Sequence, residues 1–500
     1  MKITKGFIKY AALILIISLA LSIFPSLAAD NTEIGSLKIN GAMGNMRDGS
    51  FNTYTTVTAP LTLTADEKID SVYIIFRSSA VSFTVSSSAG SLRFEEGYLQ
   101  YHADLGDIAS DTLTVTFEGS VGISDIYAFG EGELPEFVHT WEKPHEKADL
   151  LLFTSHADDE QLFFAGILPY YAGQMGYRVQ VTYFTDHVNE PGRRQELLNG
   201  LWTVGVRNYP VIGPFPDEYS ESYDGALSNV ERHGFTEDDV IAHQTEQIRR
   251  FKPLVVIGHD LEGEYGHGQH MLNAETLIKA IENANDPTFF STSAEKYGTW
   301  DTPKLYLHLY EEYTIVMDWD KPLDAFGGAT AFQMTQKGFL CHNSQQFTWF
   351  REWMNGSAGD RTMASQITYL SPCRYGLYRT TVGADVQKND FFENVTVYAE
   401  QERIAAEEEA KRLEEEKKKK EEEESRAAEE SLKAELEAAV TTATERNETP
   451  DSPVLTTEAI FSLAMVGAAI ISTVAVLSLS ASKRKKKKKR MIKNHSSLKK

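Results

Sequence analysis

Two short strings in this chain hold residue types able to activate water on a metal ion. The first is His156-Ala157-Asp158-Asp159-Glu160. The second runs from His259-Asp260 through Glu262, Gly263, Glu264, Tyr265, Gly266 and His267 to Gly268-Gln269-His270. A hydrolytic zinc site needs three ligands from histidine and carboxylate, one open position for water, and a nearby base. His156 and Asp159 are three apart on one turn, so both can face one point. Asp158 then points elsewhere and is free to act as base. His267 and His270 share one face at a helix start, so one can ligate while the other meets substrate. Glycines 263, 266 and 268 let the backbone approach closely. An Asp-Asp pair or a His-x-x-His alone is ordinary loop polarity. Both strings together, each behind a buried strand, point to one metal centre.

The elements that must position them can be read from hydrophobic pattern. Leu150 to Thr154 and Leu254 to Ile257 are continuous apolar runs, as expected for strands buried on both faces, and Val179 to Phe184 reads as another. Helices are predicted over 161–176, 193–205 and 236–251, the last with Thr236 as N-cap and acidic residues in its first turn. Alternating strands and helices imply an α/β fold with a Rossmann-like parallel sheet over 145–398, whose chemistry collects at the carboxyl ends of the strands. Both polar strings stand at such ends.

At this point the residues resemble a known family, the LmbE-like, PIG-L-type zinc deacetylases. His156-Ala-Asp-Asp-Glu160 is similar to that family's His-Pro-Asp-Asp-Glu, and Tyr265-Gly-His-Gly-Gln-His270 to its Tyr-Gly-His-x-Asp-His. Arg193-Arg-Gln-Glu-Leu197 through Val204-Gly-Val206 resembles its Arg-x-x-Glu helix, and His342-Asn-Ser-Gln345 and Tyr375–Arg379 extend the likeness. The resemblance implies that His156, Asp159 and His270 hold Zn2+ and that Asp158 is the general base. It implies that His267 supports the oxyanion or protonates the leaving amine, and that Tyr265 leans over the substrate carbonyl. Arg193 would brace the site or contact substrate, and His342 would border the substrate. Two residues depart from the pattern. Ala157 replaces a proline. Gln269 replaces an aspartate that supports the acid histidine, which is expected to lower the pKa of His267.

Residues 31–138 read as an all-β sandwich. Short runs rich in Val, Ile, Thr, Tyr and Phe alternate with turn residues. Met46–Tyr54 and Ile126–Pro135 resemble a discoidin-type, galactose-binding-like jelly roll. Residues 400–450 are a charged, low-complexity stretch, read as a helical stalk with a coiled coil as the alternative.

The two ends read as export and anchoring. Residues 1–29 combine three lysines, an apolar run and small residues, the pattern of a secretory signal peptide. Residues 459–482 lack charge, as a transmembrane helix would, and the basic cluster in 483–500 fits a cytoplasmic tail. The expected localisation is therefore the cell membrane, single-pass, with the catalytic domain extracellular. Removing the eleven Lys/Arg of 483–500 and the three lysines of 1–29 takes the chain's net charge from −23 to −37. A body so acidic disfavours nucleic acid as a partner and suits a neutral or cationic ligand, here a carbohydrate. Cys341 and Cys373, the only cysteines, make no disulfide scaffold and could be bonded or free.

The expected function is hydrolytic removal of the acetyl group from N-acetylglucosamine-type sugars on an extracellular glycan or glycoconjugate. The alternatives are a catalytically inactive glycan-binding surface protein and an amidase of a small glycoside conjugate.

Overall fold

The computed structural model describes residues 32–41, 46–78, 81–95, 97–347 and 349–445. The expected signal peptide, the apolar run 459–482 and the basic tail lie outside these residues. Among the described residues no helix is long and apolar enough to cross a membrane. That finding overturns the expected single-pass, membrane-anchored arrangement. The long helix that is present, Tyr398–Glu445, is charged throughout. It is laced by ion pairs such as Glu400–Arg403 and Glu414–Lys418. Its few apolar residues, Ile404, Leu413, Leu432 and Leu436, are exposed and too sparse for a seam, so a coiled coil is not supported.

Two antiparallel sheets form the N-terminal body. One contains β1 (Lys38–Asn40), β3 (Leu61–Ile69), β5 (Phe83–Ser87), β6 (Gly90–Phe94) and β8 (Ser110–Phe117), in the order β1-β3-β8-β5-β6. The other contains β2 (Thr55–Val57), β4 (Ser71–Phe76), β7 (Gln100–Asp104) and β9 (Val121–Phe129), in the order β2-β9-β4-β7. Leu61, Leu63, Phe83 and Val115 of the first sheet meet Val72, Ile74, Phe76 and Ile126 of the second in one apolar core. Alternation of inward apolar and outward polar residues along β3 and β8 builds this sandwich.

The second body is a mixed sheet in the order β12-β11-β10-β13-β14-β16-β15. Its strands are β10 (Leu150–Thr154), β11 (Val179–Thr185), β12 (Val211–Phe215), β13 (Val255–Gly258), β14 (Lys304–His308), β15 (Thr314–Val316) and β16 (Arg374–Thr380). β12 through β14 pair in parallel; β16 and β15 run antiparallel at the edge, so the sheet is not the purely parallel one expected. Successive residues of β10 feed cores on opposite faces, Leu150 and Leu152 on one and Leu151 and Phe153 on the other. That is why its run is apolar at every position. From β10 the chain winds outward through β11 to β12, then returns to β13 on the other side. The order therefore reverses between β10 and β13, the place where an open α/β sheet leaves a crevice.

The sandwich and the sheet share a polar contact. Buried Gln100 in β7 donates to Gln195 Oε1 and Asn199 Oδ1, both at 3.0 Å, on the helix Pro191–Thr203. Its Oε1 receives His139 Nδ1 at 2.8 Å and Trp141 Nε1 at 3.1 Å. Gln195 in turn donates to the Phe76 carbonyl at 3.0 Å. Each of these buried amides is matched by partners.

The helix expected over 161–176 is broken. A turn at Asp159–Leu162 is followed by a separate π-helical segment, Leu168–Gln174. Gly166 sits between them at φ +91°, and the Trp319 ring fills the space beside it: a Cβ there would come within 2.3 Å of the indole. Gly166→Ala is therefore expected to lower unfolding free energy by about 3 kcal/mol, from left-handed strain and overpacking together. Chemical denaturation checks this, and an unchanged midpoint would contradict it.

Candidate metal centre

Both polar strings lie at the crevice between β10 and β13. The chain leaves β10 at Thr154 and turns sharply, with the Asp159 carboxylate accepting the His156 backbone N–H at 2.7 Å. Beyond β13, a tight turn at Glu264–Gly266 leads into the helix Gly268–Asn283. His267 is its N-cap, and its Nδ1 accepts the Gln269 backbone N–H at 3.2 Å.

Three ligand atoms converge there. His156 Nδ1 lies 3.1 Å from Asp159 Oδ2 and 3.1 Å from His270 Nε2, and His270 Nε2 lies 3.2 Å from Asp159 Oδ2. All three residues are buried. Zn–N and Zn–O bonds of 2.0–2.1 Å in a tetrahedron require donor separations of about 3.3 Å, close to this triangle. Burial opposes charge on the rings, yet Asp159 raises His156 and takes His270 up to about 10. A positive charge is thus favoured among the three atoms, as a proton or as a metal ion.

The far sides of both rings are already engaged. His270 Nδ1 donates to Glu264 Oε2 at 2.7 Å, which leaves Nε2 to present its lone pair to the triangle. His156 Nε2 donates to Gln269 Oε1 at 2.7 Å, and Gln269 Nε2 is anchored on the Pro216 carbonyl at 2.5 Å. Gln269 therefore orients His156. His267 lies far below the ordinary histidine range, the direction expected, with burial as the first cause and His156 and His270 adding to it. The substitution leaves all three converging atoms in place.

Glu264 is a centre of its own. Its Oε2 also accepts His259 Nδ1 at 2.8 Å, and its Oε1 faces His308 Nδ1 at 2.6 Å. Burial works against its charge, but His259 and His270 hold it well below the usual carboxylate range. Asp159, His259 and His270 form a second group with metal-ligand spacing. However, His259 Nε2 already accepts the Ser155 N–H at 2.9 Å, so its lone pair is used. His267 also lies within ligand distance of His156 and His270.

Asp158 stands apart from the triangle, at φ +146°, a backbone conformation that disfavours a non-glycine residue. Its neighbours His187 and Tyr265 also have positive φ, at +45° and +49°. Burial pushes the Asp158 carboxyl up to about 7, with Arg193 opposing and Asp159 adding. Arg193 Nη2 holds Asp158 Oδ1 at 3.3 Å while Nη1 holds Asp217 at 3.0 Å. Arg193 thus grips two carboxylates, Asp158 and Asp217, from one guanidinium. Asp217 also faces His187 Nδ1 at 3.0 Å, and His187 Nε2 accepts the Ala157 N–H at 2.9 Å. His187, Glu190 and Asp217 border a cavity of about 380 Å³. They have ligand spacing too, but the Arg193 guanidinium already supplies the positive charge there.

His342 is fully buried and lies 2.9 Å from Glu160 Oε1, while Glu160 Oε2 accepts the Asp158 N–H at 3.0 Å. It supports the turn that carries Asp158. Tyr265 packs edge-on against His267 and His270, with ring centroids 5.5 and 5.7 Å away. Burial holds its hydroxyl far above the ordinary tyrosine range, so it remains a donor. Cys341 and Cys373 are both free.

Residues 151–281 match the family model described as PIG-L, GlcNAc-PI de-N-acetylase. The chain is 26% identical over 181 residues to 1D-myo-inositol 2-acetamido-2-deoxy-alpha-D-glucopyranoside deacetylase 1 of Catenulispora acidiphila, covering 31% of this chain and 54% of that protein. It is 32% identical over 120 residues to the corresponding deacetylase 2 of Saccharopolyspora erythraea, covering 23% and 42%. The chain spans about half the length of the curated relatives it matches. Among solved structures, it is similar to N,N'-diacetylchitobiose deacetylase from Pyrococcus horikoshii at 18% identity and TM-score 0.33, covering 47% of this chain and 85% of that one.

Because Gln269 fixes the ring of His156, Gln269→Ala is expected to weaken divalent-metal affinity by about 10- to 100-fold. Competition with a chromogenic chelator measures this, and unchanged affinity would contradict the assigned orientation.

Proposed function

We propose that this chain hydrolyses the N-acetyl group of an N-acetylated amino sugar of the N-acetylglucosamine type, with zinc held by His156, Asp159 and His270. The observation that carries this reading is the triangle of three buried donor atoms at 3.1–3.2 Å, with the outer nitrogens of both rings already occupied. A His₂-carboxylate set suits zinc and leaves a fourth position open for water. The match of residues 151–281 to a de-N-acetylase family, and relatives whose names specify removal of acetyl from a 2-acetamido sugar, support the reaction class.

Bound there, zinc supplies a Lewis acid that polarises the acetamide carbonyl and acidifies a water molecule. The remaining steps belong to the protein. Asp158, with a carboxyl tuned near 7 and one oxygen fixed by Arg193, takes the water proton as its oxygen bonds to the carbonyl carbon. His267 accepts at Nδ1, so its neutral ring carries the proton on Nε2 and donates to the carbonyl oxygen as negative charge develops. The Tyr265 hydroxyl is a second donor at the same place. The C–N bond then breaks, Asp158 returns its proton to the leaving nitrogen, and acetate and a free amine result.

The test is acetate release from N-acetylglucosamine and its oligosaccharides by the full chain, zinc-loaded or chelator-treated, beside Asp158→Ala. Activity that requires metal and falls by about 10³-fold in the variant is expected. Release of no acetate from any of these sugars by zinc-loaded protein would overturn the proposal.

A further inference from the structure

Trp349 joins the candidate centre to a separate surface groove. Its indole packs edge-on against Tyr265, 5.7 Å between centroids at 83°, and lies 4.3 Å from Phe350. Tyr265 in turn touches the rings of His267 and His270. Yet Trp349 remains 46% exposed, and Phe347 nearby is 91% exposed. Both line a cavity of about 950 Å³ together with Gln346, Arg351, Asn355 and Ser357. That volume lies in the range of about 300–1,000 Å³ for small-molecule sites. Aromatic faces beside amide, hydroxyl and guanidinium groups suit a particular ligand chemistry. A pyranose ring presents an apolar C–H face, slightly positive, to the negative face of an aromatic ring, and its rim of hydroxyls needs hydrogen-bond partners. Among the described residues, Arg351 and Ser357 make no side-chain hydrogen bond of their own. A protein interior would have covered these rings, and a nucleic-acid strand is disfavoured by the chain's net charge of −23.

We infer that Trp349 and Phe347 form a subsite for a second sugar of the substrate, so that the enzyme acts on an oligosaccharide or polysaccharide rather than on an isolated amino sugar. The inference rests on the deacetylase reading and names its substrate class. The occupant is a pyranose linked to the residue being deacetylated, stacked on Trp349 while its neighbour reaches the centre past Tyr265. Trp300, Trp319 and Trp353, the other tryptophans of this half of the chain, are committed elsewhere, Trp353 being buried with its Nε1 donating to the Tyr369 carbonyl at 2.9 Å. Trp319 is buried with its Nε1 donating to the Pro372 carbonyl at 2.9 Å, and Trp300 donates to the Pro253 carbonyl at 2.8 Å.

The experiment compares kcat/KM for acetate release from N-acetylglucosamine and its β-1,4-linked di-, tri- and tetrasaccharides, using the zinc-loaded full chain. A rise of about tenfold or more from mono- to tetrasaccharide is expected, carried mainly by KM. Trp349→Ala should remove most of that rise. Phe347→Ala, at a site so exposed that folding is unaffected, should reduce it. A flat length profile in the wild type, or variants that lower every length by the same factor, would overturn the subsite. Binding of the tetrasaccharide to Asp158→Ala, followed by titration calorimetry, separates the two proposals. If no sugar is hydrolysed but the tetrasaccharide binds and Trp349→Ala abolishes binding, the subsite stands and the deacetylase reading fails. If neither hydrolysis nor binding occurs, both fail.

Discussion

The site depends on one buried carboxylate. Glu264 is out of contact with solvent and is surrounded by His259, His270 and His308. A lone carboxylate there would be expensive to bury. Three imidazoles and the Asp260 backbone N–H, 3.3 Å away, repay that with charge-assisted hydrogen bonds. The consequence for chemistry is directional. By taking the Nδ1 proton of His270, Glu264 decides which lone pair of that ring faces Asp159 and His156. By holding His259 at its Nδ1, it leaves His259 Nε2 to accept the Ser155 N–H. That bond ties the loop leaving β10 to the loop leaving β13. His308, at the end of β14, completes the link through the Ser371 carbonyl at 3.0 Å. One side chain thus fixes three neighbouring strand ends.

The sheet supplies what Glu264 needs. Buried strands at the switch between β10 and β13 bring sequence positions about a hundred residues apart to one crevice. The backbone there accepts strain for the sake of aim. Asp158 at φ +146° turns its carboxyl away from the converging ligands and toward Arg193, so adjacent acids hold separate positions and separate pKa values.

Much of this was legible in the chain. The unbroken apolar runs of β10 and β13 declared strands covered on both faces. The acidic first turn behind Thr236 declared a helix start, and the structure shows a full capping box between Thr236 and Asp239. His156, Asp159 and His270 are singled out by the resemblance of the two polar strings to the deacetylase motifs; spacing alone leaves open which of His267 and His270 would ligate. What stayed hidden depends on partners distant in sequence. Glu264 stands beside Tyr265 in a polar string, but its role needs His308, 44 residues on. The Gln269 side chain meets His156, with only its backbone N–H on His267, and His342 meets Glu160; the side-chain contacts are made only by the folded sheet edge. Helical propensity across 161–176 gave no sign that Trp319 would need the space at Gly166. The apolar run 459–482 is a property of composition; no membrane-crossing helix is found among the described residues.

The helix Pro191–Thr203 bears on both folds. Its first turn carries Arg193, which grips Asp158, and the same helix carries Gln195 and Asn199, which meet Gln100 of the sandwich. An exchange that replaced the sandwich with another fold would strand those amides without partners, at about 1–3 kcal/mol for each buried group left unmatched. The misfit would be felt along the helix that holds Arg193 against Asp158. The two folds are therefore mechanically coupled: a substitution at Gln100 on β7 is expected to be felt at a carboxylate in the other fold.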